Sequence, residues 1–142
     1  MKRSISIILV LLTLSILLSS CGVMFGGSKY RATIIAKDHP NAEIYVNGKN
    51  LGKGQVVTLQ PRNRNLIVEL KQEGCEPVNQ TFKNRFRTGS FILSIIWWGP
   101  IGLGIDLGAG ASYKPDHINN PAIKKVSDKN YTFSVDYPAC KI

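Results

Sequence analysis

The chain is poor in the residues that most often do chemistry. Its 142 residues hold nine Asp and Glu against eighteen Lys and Arg, with only two histidines and two methionines. His39 and His117 stand alone in turn-forming stretches, where solvated loop positions are expected. No Cys and His spacing suits a metal ion. The serines have no His and Asp placed to activate them. Gly102-x-Gly104 is not framed by the strand, turn and helix that a dinucleotide fingerprint needs. The sequence therefore predicts no catalytic residues, no metal site and no cofactor. Long apolar runs are missing too. Residues 5–18 and 91–105 are apolar, and both fall short of the ~20 residues that span a bilayer as a helix.

What is present begins at the amino terminus. Lys2 and Arg3 precede an Ile-, Leu- and Val-rich stretch that ends in Leu18-Ser19-Ser20-Cys21. A positive start, a short apolar stretch and small residues before a cleavage point describe an export signal. Leu-Ser-Ser-Cys resembles the lipobox of bacterial lipoproteins. The resemblance implies a diacylated Cys21 thiol, cleavage before Cys21, and a fatty acyl chain such as palmitate on the new amino terminus. One acyl chain holds a protein marginally and two or more hold it firmly, because each buried methylene contributes ~0.8 kcal/mol. The alternative is an ordinary cleaved signal with an incidental cysteine. Gly22 follows the cysteine, where an Asp would resemble an inner-membrane retention signal, so the outer membrane facing the periplasm is the expected site.

Loss of residues 1–20 removes Lys2 and Arg3 and lowers the net charge from +9 to +7. A basic exported domain suits anionic lipid headgroups, anionic envelope polymers or acidic envelope proteins. It can equally owe its charge to solubility alone. Export argues against nucleic acid. Cys75 and Cys140 remain in a compartment that permits disulfides. They either pair or persist as two thiols, and spacing alone does not decide between these.

The remainder reads mainly as strands. Residues 30–37 are β-branched at their centre. In 42–46, Ala42, Ile44 and Val46 share one face, and Asn47-Gly48 follows as a hairpin signal. Residues 51–54 read as a second turn and 55–59 as a strand. Leu66, Val68 and Leu70 alternate with Ile67, Glu69 and Lys71, and 78–87 reads as one further strand. Short strands at close intervals predict a small antiparallel β-sandwich. Residues 40–53, PNAEIYVNGKNLGK, resemble the PEGA domain: a Pro, alternating strand residues, an Asn-Gly turn, then Gly-Lys. Residues 66–74 fit that family's following strand. Two positions depart from it: Gly54-Gln55 stands in place of Thr-Pro, and Cys75 in place of an aromatic. The resemblance implies a β-sandwich found on envelope proteins, with no catalytic residues.

Residues 91–105, FILSIIWWGPIGLGI, are the second unusual feature. A spanning helix is disfavoured by Gly99-Pro100, by the length, and by Lys83, Arg85 and Arg87 on the exported side. Two short helices with a corner between them fit better. Ser90 would cap the first, Gly99 would end it, and Pro100 would open the second. Gly104 and Gly108 share a face that would admit another backbone closely. Trp97 and Trp98 suit either a membrane interface, with Arg85 and Arg87 meeting lipid phosphates, or the sandwich core. Asp106 reads as a cap or as a partner of Arg85 or Arg87. Residues 84–114 also resemble a Gly-rich apolar segment that follows PEGA-like domains in small envelope lipoproteins. Residues 117–130 read as loop, and 131–137 alternate as a terminal strand.

The expected fold is therefore mainly β with a small helical insertion: a PEGA-like antiparallel β-sandwich plus an apolar helical hairpin. Residues 1–20 form the signal, 21–29 a tether, 30–88 the β domain, 89–113 the apolar segment, and 114–142 a loop and strand returning to the sheet. The expected role is a lipid-anchored envelope protein that binds or scaffolds without catalysis. The alternative is a membrane-active or channel-associated subunit that assembles through residues 91–111. The two differ in whether those residues meet lipid or one another.

Overall fold

The alternating patterns become buried and exposed faces. The structure, a computed structural model, describes residues 5–10 and 27–138. Strand β1 (Lys29–Ala36) turns Tyr30, Ala32, Ile34 and Ala36 inward. Strand β2 (Glu43–Val46) runs into β3 (Lys49–Lys53), and β4 (Gln55–Pro61) follows. Strand β5 (Leu66–Lys71) buries Leu66, Val68 and Leu70, and β6 (Val78–Phe82) buries Phe82. Short β7 (Asn84–Phe86) leads into the helical segment α1 (Thr88–Ala109). After it come β8 (Tyr113–Pro115), β9 (Ile123–Ser127) and β10 (Asn130–Val135). Residues 5–10 are helical.

The strands form two four-stranded sheets, ordered β4-β1-β10-β9 and β3-β2-β5-β6, and a two-stranded ladder of β7 and β8. The inward faces of the two large sheets share one apolar core. Phe82 and Phe133 meet edge to face across it at 5.0 Å, and Tyr30 meets Tyr131 at 5.6 Å. Burying one side of each strand leaves the other to solvent, which is why period 2 was readable.

Several sequence expectations are corrected. The sandwich is not wholly antiparallel, because β1 and β10 pair in parallel, Ala32 beside Tyr131 and Ile34 beside Phe133. Residues 51–53 are not a turn but belong to β3. The single strand expected over 78–87 breaks at Lys83 into β6 and β7. Residues 123–127, read as loop, form the edge strand β9. His39 is not solvated: it is 7% exposed, and its ring lies 5.3 Å from that of Tyr137.

Turn chemistry sets the corners. Asn47 and Gly48 both take positive φ, 51° and 84°, the geometry that joins β2 to β3 in a tight hairpin. Asn47 also couples neighbouring strands. Its Nδ2 donates to Gln60 Oε1 at 2.9 Å, and its Oδ1 accepts from the Ile67 N–H at 3.2 Å.

The segment α1 is two helices joined at Gly99, whose φ of 58° and ψ of −151° are not helical. Pro100 follows, as the sequence suggests. The start differs: the residue preceding the helix is Arg87, with no side-chain cap, so Ser90 lies inside it. Gly110 ends it at φ 75°. A Cβ there would sit 2.8 Å from Asn63 Cβ, so only glycine lets the helix end meet the 62–65 loop.

Candidate functional site

The sandwich has two unlike ends. β1 starts at one of them and runs ~26 Å to the other. At the first end the Ser28 carbonyl accepts from the Arg62 N–H at 2.9 Å. The 62–65 loop, Asn84 and the 128–129 turn gather there. Asn84 Nδ2 donates to the Arg62 carbonyl at 2.7 Å and to the Arg64 carbonyl at 2.5 Å. The helical segment leaves and returns at this same end. Phe86 pairs with Tyr113 across the β7–β8 ladder, and the Arg87 N–H donates to the Ser112 carbonyl at 2.6 Å.

Arg62 organises this end. It is fully buried, although sequence alone gave no sign of it. Its guanidinium donates to the Asp128 carbonyl at 2.5 Å and the Tyr113 carbonyl at 3.3 Å, and lies 6.0 Å from the centre of the Tyr30 ring. One side chain thus ties the β4–β5 loop to β8 and to the β9–β10 turn. Burial lowers its pKa from the ordinary arginine value, with the positive field of Arg87 second. Burial also pushes the Tyr30 hydroxyl well above its usual range.

Cations crowd the neck of the helical segment. Arg85 stands directly opposite Lys114 in the β7–β8 ladder. Arg87 follows two residues later. The Lys114 amine is held below its ordinary value, by burial first and then by Lys125, Arg87 and Arg85. Two carboxylates answer them. Asp116 lies 4.0 Å from Arg85, and Asp128 lies 2.6 Å from Lys125. Asp128 titrates below the usual carboxylate range because Lys125 hydrogen-bonds it, and Asp116 because the Asn119 side chain does. Arg87 Nη1 and Ser112 Oγ are buried with no hydrogen-bond partner among the described residues.

Beyond the neck, the helical segment exposes Ile92, Ile95, Ile96, Ile101 and Leu107, at 40–75% of their surface. Phe86 meets Phe91 at 4.8 Å and Tyr113 at 5.7 Å, which seats the base of the first helix. A Cβ at Gly104 or Gly108 would meet nothing within 4 Å, so the close backbone contact expected there is not made within the described chain. The side chains of Trp97, Trp98 and Asp106, expected at an interface or as a cap or ion-pair partner, lie outside the described residues; among the described residues Arg85 lies 4.0 Å from Asp116. No described helix is long and apolar enough to cross a membrane.

The opposite end carries Cys75, which is disulfide-bonded. Cys21 and Cys140 both lie outside the described residues. Cys75 sits in the turn after β5, whose Lys71 pairs with Glu43. The chain beyond β10 emerges at this same end, where Lys37 N–H donates to the Val135 carbonyl and Tyr137 meets His39. A shallow depression of about 610 Å³ lies beside Cys75, lined by Glu43, Lys53, Lys71 and Glu73 among others. Both of its lysines are engaged, Lys53 with Glu43 of the lining at 3.7 Å and Lys71 with Glu69 outside it at 3.2 Å. Among the described residues, no group of three or more His, Cys, Asp or Glu could hold a metal ion.

No protein-family model, curated protein or solved structure matches the chain.

Proposed function

We propose that this is a lipid-anchored protein of the bacterial cell envelope, with a non-catalytic binding or scaffolding role at the membrane surface. One observation carries the reading: the chain arriving from Cys21 and the exposed apolar helices leave the sandwich from the same end. Only five residues, 22–26, separate the lipidated cysteine from Gly27, six Cα–Cα steps with a reach of ~20 Å at full extension. Acyl chains at Cys21 therefore bring that end, with its cations and apolar helices, against the bilayer. The outer membrane facing the periplasm is the proposed location, and the sandwich is proposed to be PEGA-like. The partners in this reading are the bilayer itself and, at its surface, acidic envelope proteins or anionic polymers.

The helical segment is proposed to be an apolar hairpin. Its ends are tied together by the Phe86–Tyr113 pair, while an unbroken helix of 22 residues would part them by ~33 Å. Each half is ~15 Å long, about half the hydrocarbon thickness. This suits immersion in one leaflet. The second reading, a membrane-active or channel-associated assembly, is favoured by one feature only, the bare faces at Gly104 and Gly108.

The anchor is tested in cells fed alkyne-tagged palmitate. The wild-type chain is expected to take up label, and Cys21→Ser is not. An unlabelled wild-type chain refutes the proposal.

The disulfide partner of Cys75 is proposed to be Cys140. Tyr137 already lies at the Cys75 end, three residues before Cys140, whereas the chain from Cys21 enters at the other end. The denatured, non-reduced mature protein is then expected to show no maleimide-reactive thiol, and Cys140→Ser to show one, at Cys75. A reactive thiol in the wild type contradicts the pairing.

A further inference from the structure

We propose that Arg85, Arg87 and Lys114 form a phosphate-binding collar around the neck of the helical segment, with lipid headgroup phosphates as its ligand. The inference rests on the membrane-surface reading above and names what that surface recognises.

The starting point is a conflict in the β7–β8 ladder. Arg85 and Lys114 are directly opposite, and like charges so placed in an antiparallel pair repel. Strand alternation brings Arg87 to the side of Arg85, while Phe86 and Tyr113 occupy the other face. Nearby acids only partly offset this. Asp116 reaches Arg85 at 4.0 Å, a loose contact, and Asp128 is engaged by Lys125. Five cations, Arg62, Arg85, Arg87, Lys114 and Lys125, thus face two carboxylates. The Lys114 amine is lowered by burial first and then by the cations Lys125, Arg87 and Arg85.

A second, independent observation points to an acceptor. Arg87 Nη1 is buried without a hydrogen-bond partner among the described residues, and so is the hydroxyl of Ser112, which is 1% exposed. The Arg87 N–H and Ser112 carbonyl join these two residues at the neck. Burying a guanidinium N–H without an acceptor is costly. The Arg87 side chain as a whole is only partly buried, so a turn of its guanidinium brings that donor to a phosphate oxygen, whose geometry suits Arg well. The adjoining helices expose isoleucine and leucine, so the anion that meets the collar while those side chains are immersed is a headgroup phosphate.

The test uses the acylated mature protein reconstituted into phosphatidylcholine vesicles with brominated acyl chains, with and without phosphatidylglycerol. Both tryptophans of the chain, Trp97 and Trp98, lie in the helical segment, so their quenching reads its immersion. With phosphatidylglycerol, quenching is expected to be strong and to fall as salt is raised. Each cation removed near an anionic surface weakens binding by about fivefold. The triple variant Arg85→Gln, Arg87→Gln and Lys114→Gln is therefore expected to shift the immersed-to-free ratio by roughly 100-fold. The single variant Lys114→Gln, which spares the arginines, is expected to shift it by about fivefold. Removal of Lys37, Lys53 and Lys71 at the opposite end, by the same substitution to Gln, is expected to change nothing.

Equal quenching in wild type and triple variant, or quenching indifferent to phosphatidylglycerol and salt, overturns the collar while leaving immersion of the helices standing. Absence of quenching in every vesicle overturns both immersion and collar. Failure of the anchor reading shows separately, as a starting protein whose residue 21 carries no acyl chain.

Discussion

Exported behind a signal peptide that is cleaved without lipidation, a chain beginning at Gly22 and lacking residues 91–111 is expected in the aqueous fraction of the envelope. The same chain with residues 91–111 retained is expected on the membrane but extractable by salt, and the acylated wild type to resist salt. In the proposed arrangement acyl chains contribute ~0.8 kcal/mol per buried methylene, and two or more anchor the protein stably. In the same proposed arrangement the apolar helices and the cations at their neck supply a weaker, screened attachment. The ordering follows from the shared end of the sandwich, where Ser28 and the Phe86–Tyr113 pair both lie close to the Arg62 loop. Fractionation with and without high salt checks it. Membrane retention of the doubly stripped chain at high salt, where the neck cations are screened, would show that a third contact exists. The truncated chain is expected to keep its β structure, because no side chain described in the helical segment belongs to the apolar core.

The second large effect is on stability. Arg62→Met keeps the length of the stem and removes the guanidinium. The Asp128 and Tyr113 carbonyls lose their donor, and the cation over Tyr30 is gone. Hydrogen bonds to charged groups contribute ~1.5–3 kcal/mol each, and a buried acceptor left unpaired costs ~1–3 kcal/mol. A loss of roughly 3 kcal/mol is expected, lowering Tm by about 10 °C for a domain of this size. Arg62→Lys is expected to recover less than half, because an ammonium lacks the fork that reaches two carbonyls in different elements. These bonds go to carbonyl oxygens and do not titrate. Asp128, whose folded value lies below the ordinary carboxylate pKa, stays ionised above that value and is neutralised only as pH falls through the lower one. The effect of Arg62→Met should therefore be nearly constant between about pH 5 and 8. Denaturant unfolding at both limits checks it. An unchanged midpoint would show that Arg62 is not the tie between these loops.

These two expectations differ in how visible they are in the sequence. Strands β1, β5 and β10 could be read because each buries alternate residues: Tyr30, Ala32 and Ile34; Leu66, Val68 and Leu70; Tyr131, Phe133 and Val135. The hairpin at Asn47-Gly48 and the break at Gly99-Pro100 could be read because local chemistry fixes backbone geometry there. Strand β9 could not. It lies at a sheet edge and buries only Ile123, so Lys124 and Lys125 look like loop. The parallel pairing of β1 with β10 joins residues about a hundred positions apart, beyond any local signal. The burial of His39 is of the same kind, since Tyr137 covers it.

The candidate site was legible only in part. Arg85 and Arg87 stand out in the sequence beside the apolar segment. Lys114 does not, because only the return of the chain through β8 places it opposite Arg85. Arg62 carries no signal at all: a polar turn of Arg-Asn-Arg-Asn gives no reason to bury its first arginine. It is buried because three elements converge on it, and convergence belongs to the tertiary fold.

The central claim is that residue 21 is acylated and begins the mature chain. Mass spectrometry of the amino-terminal peptide, isolated from envelope membranes, tests it most directly. The account predicts a peptide that starts at Cys21 and carries a diacylglyceryl thioether and an amide-linked fatty acid. A peptide that starts elsewhere, or a Cys21 with a bare thiol, would contradict it.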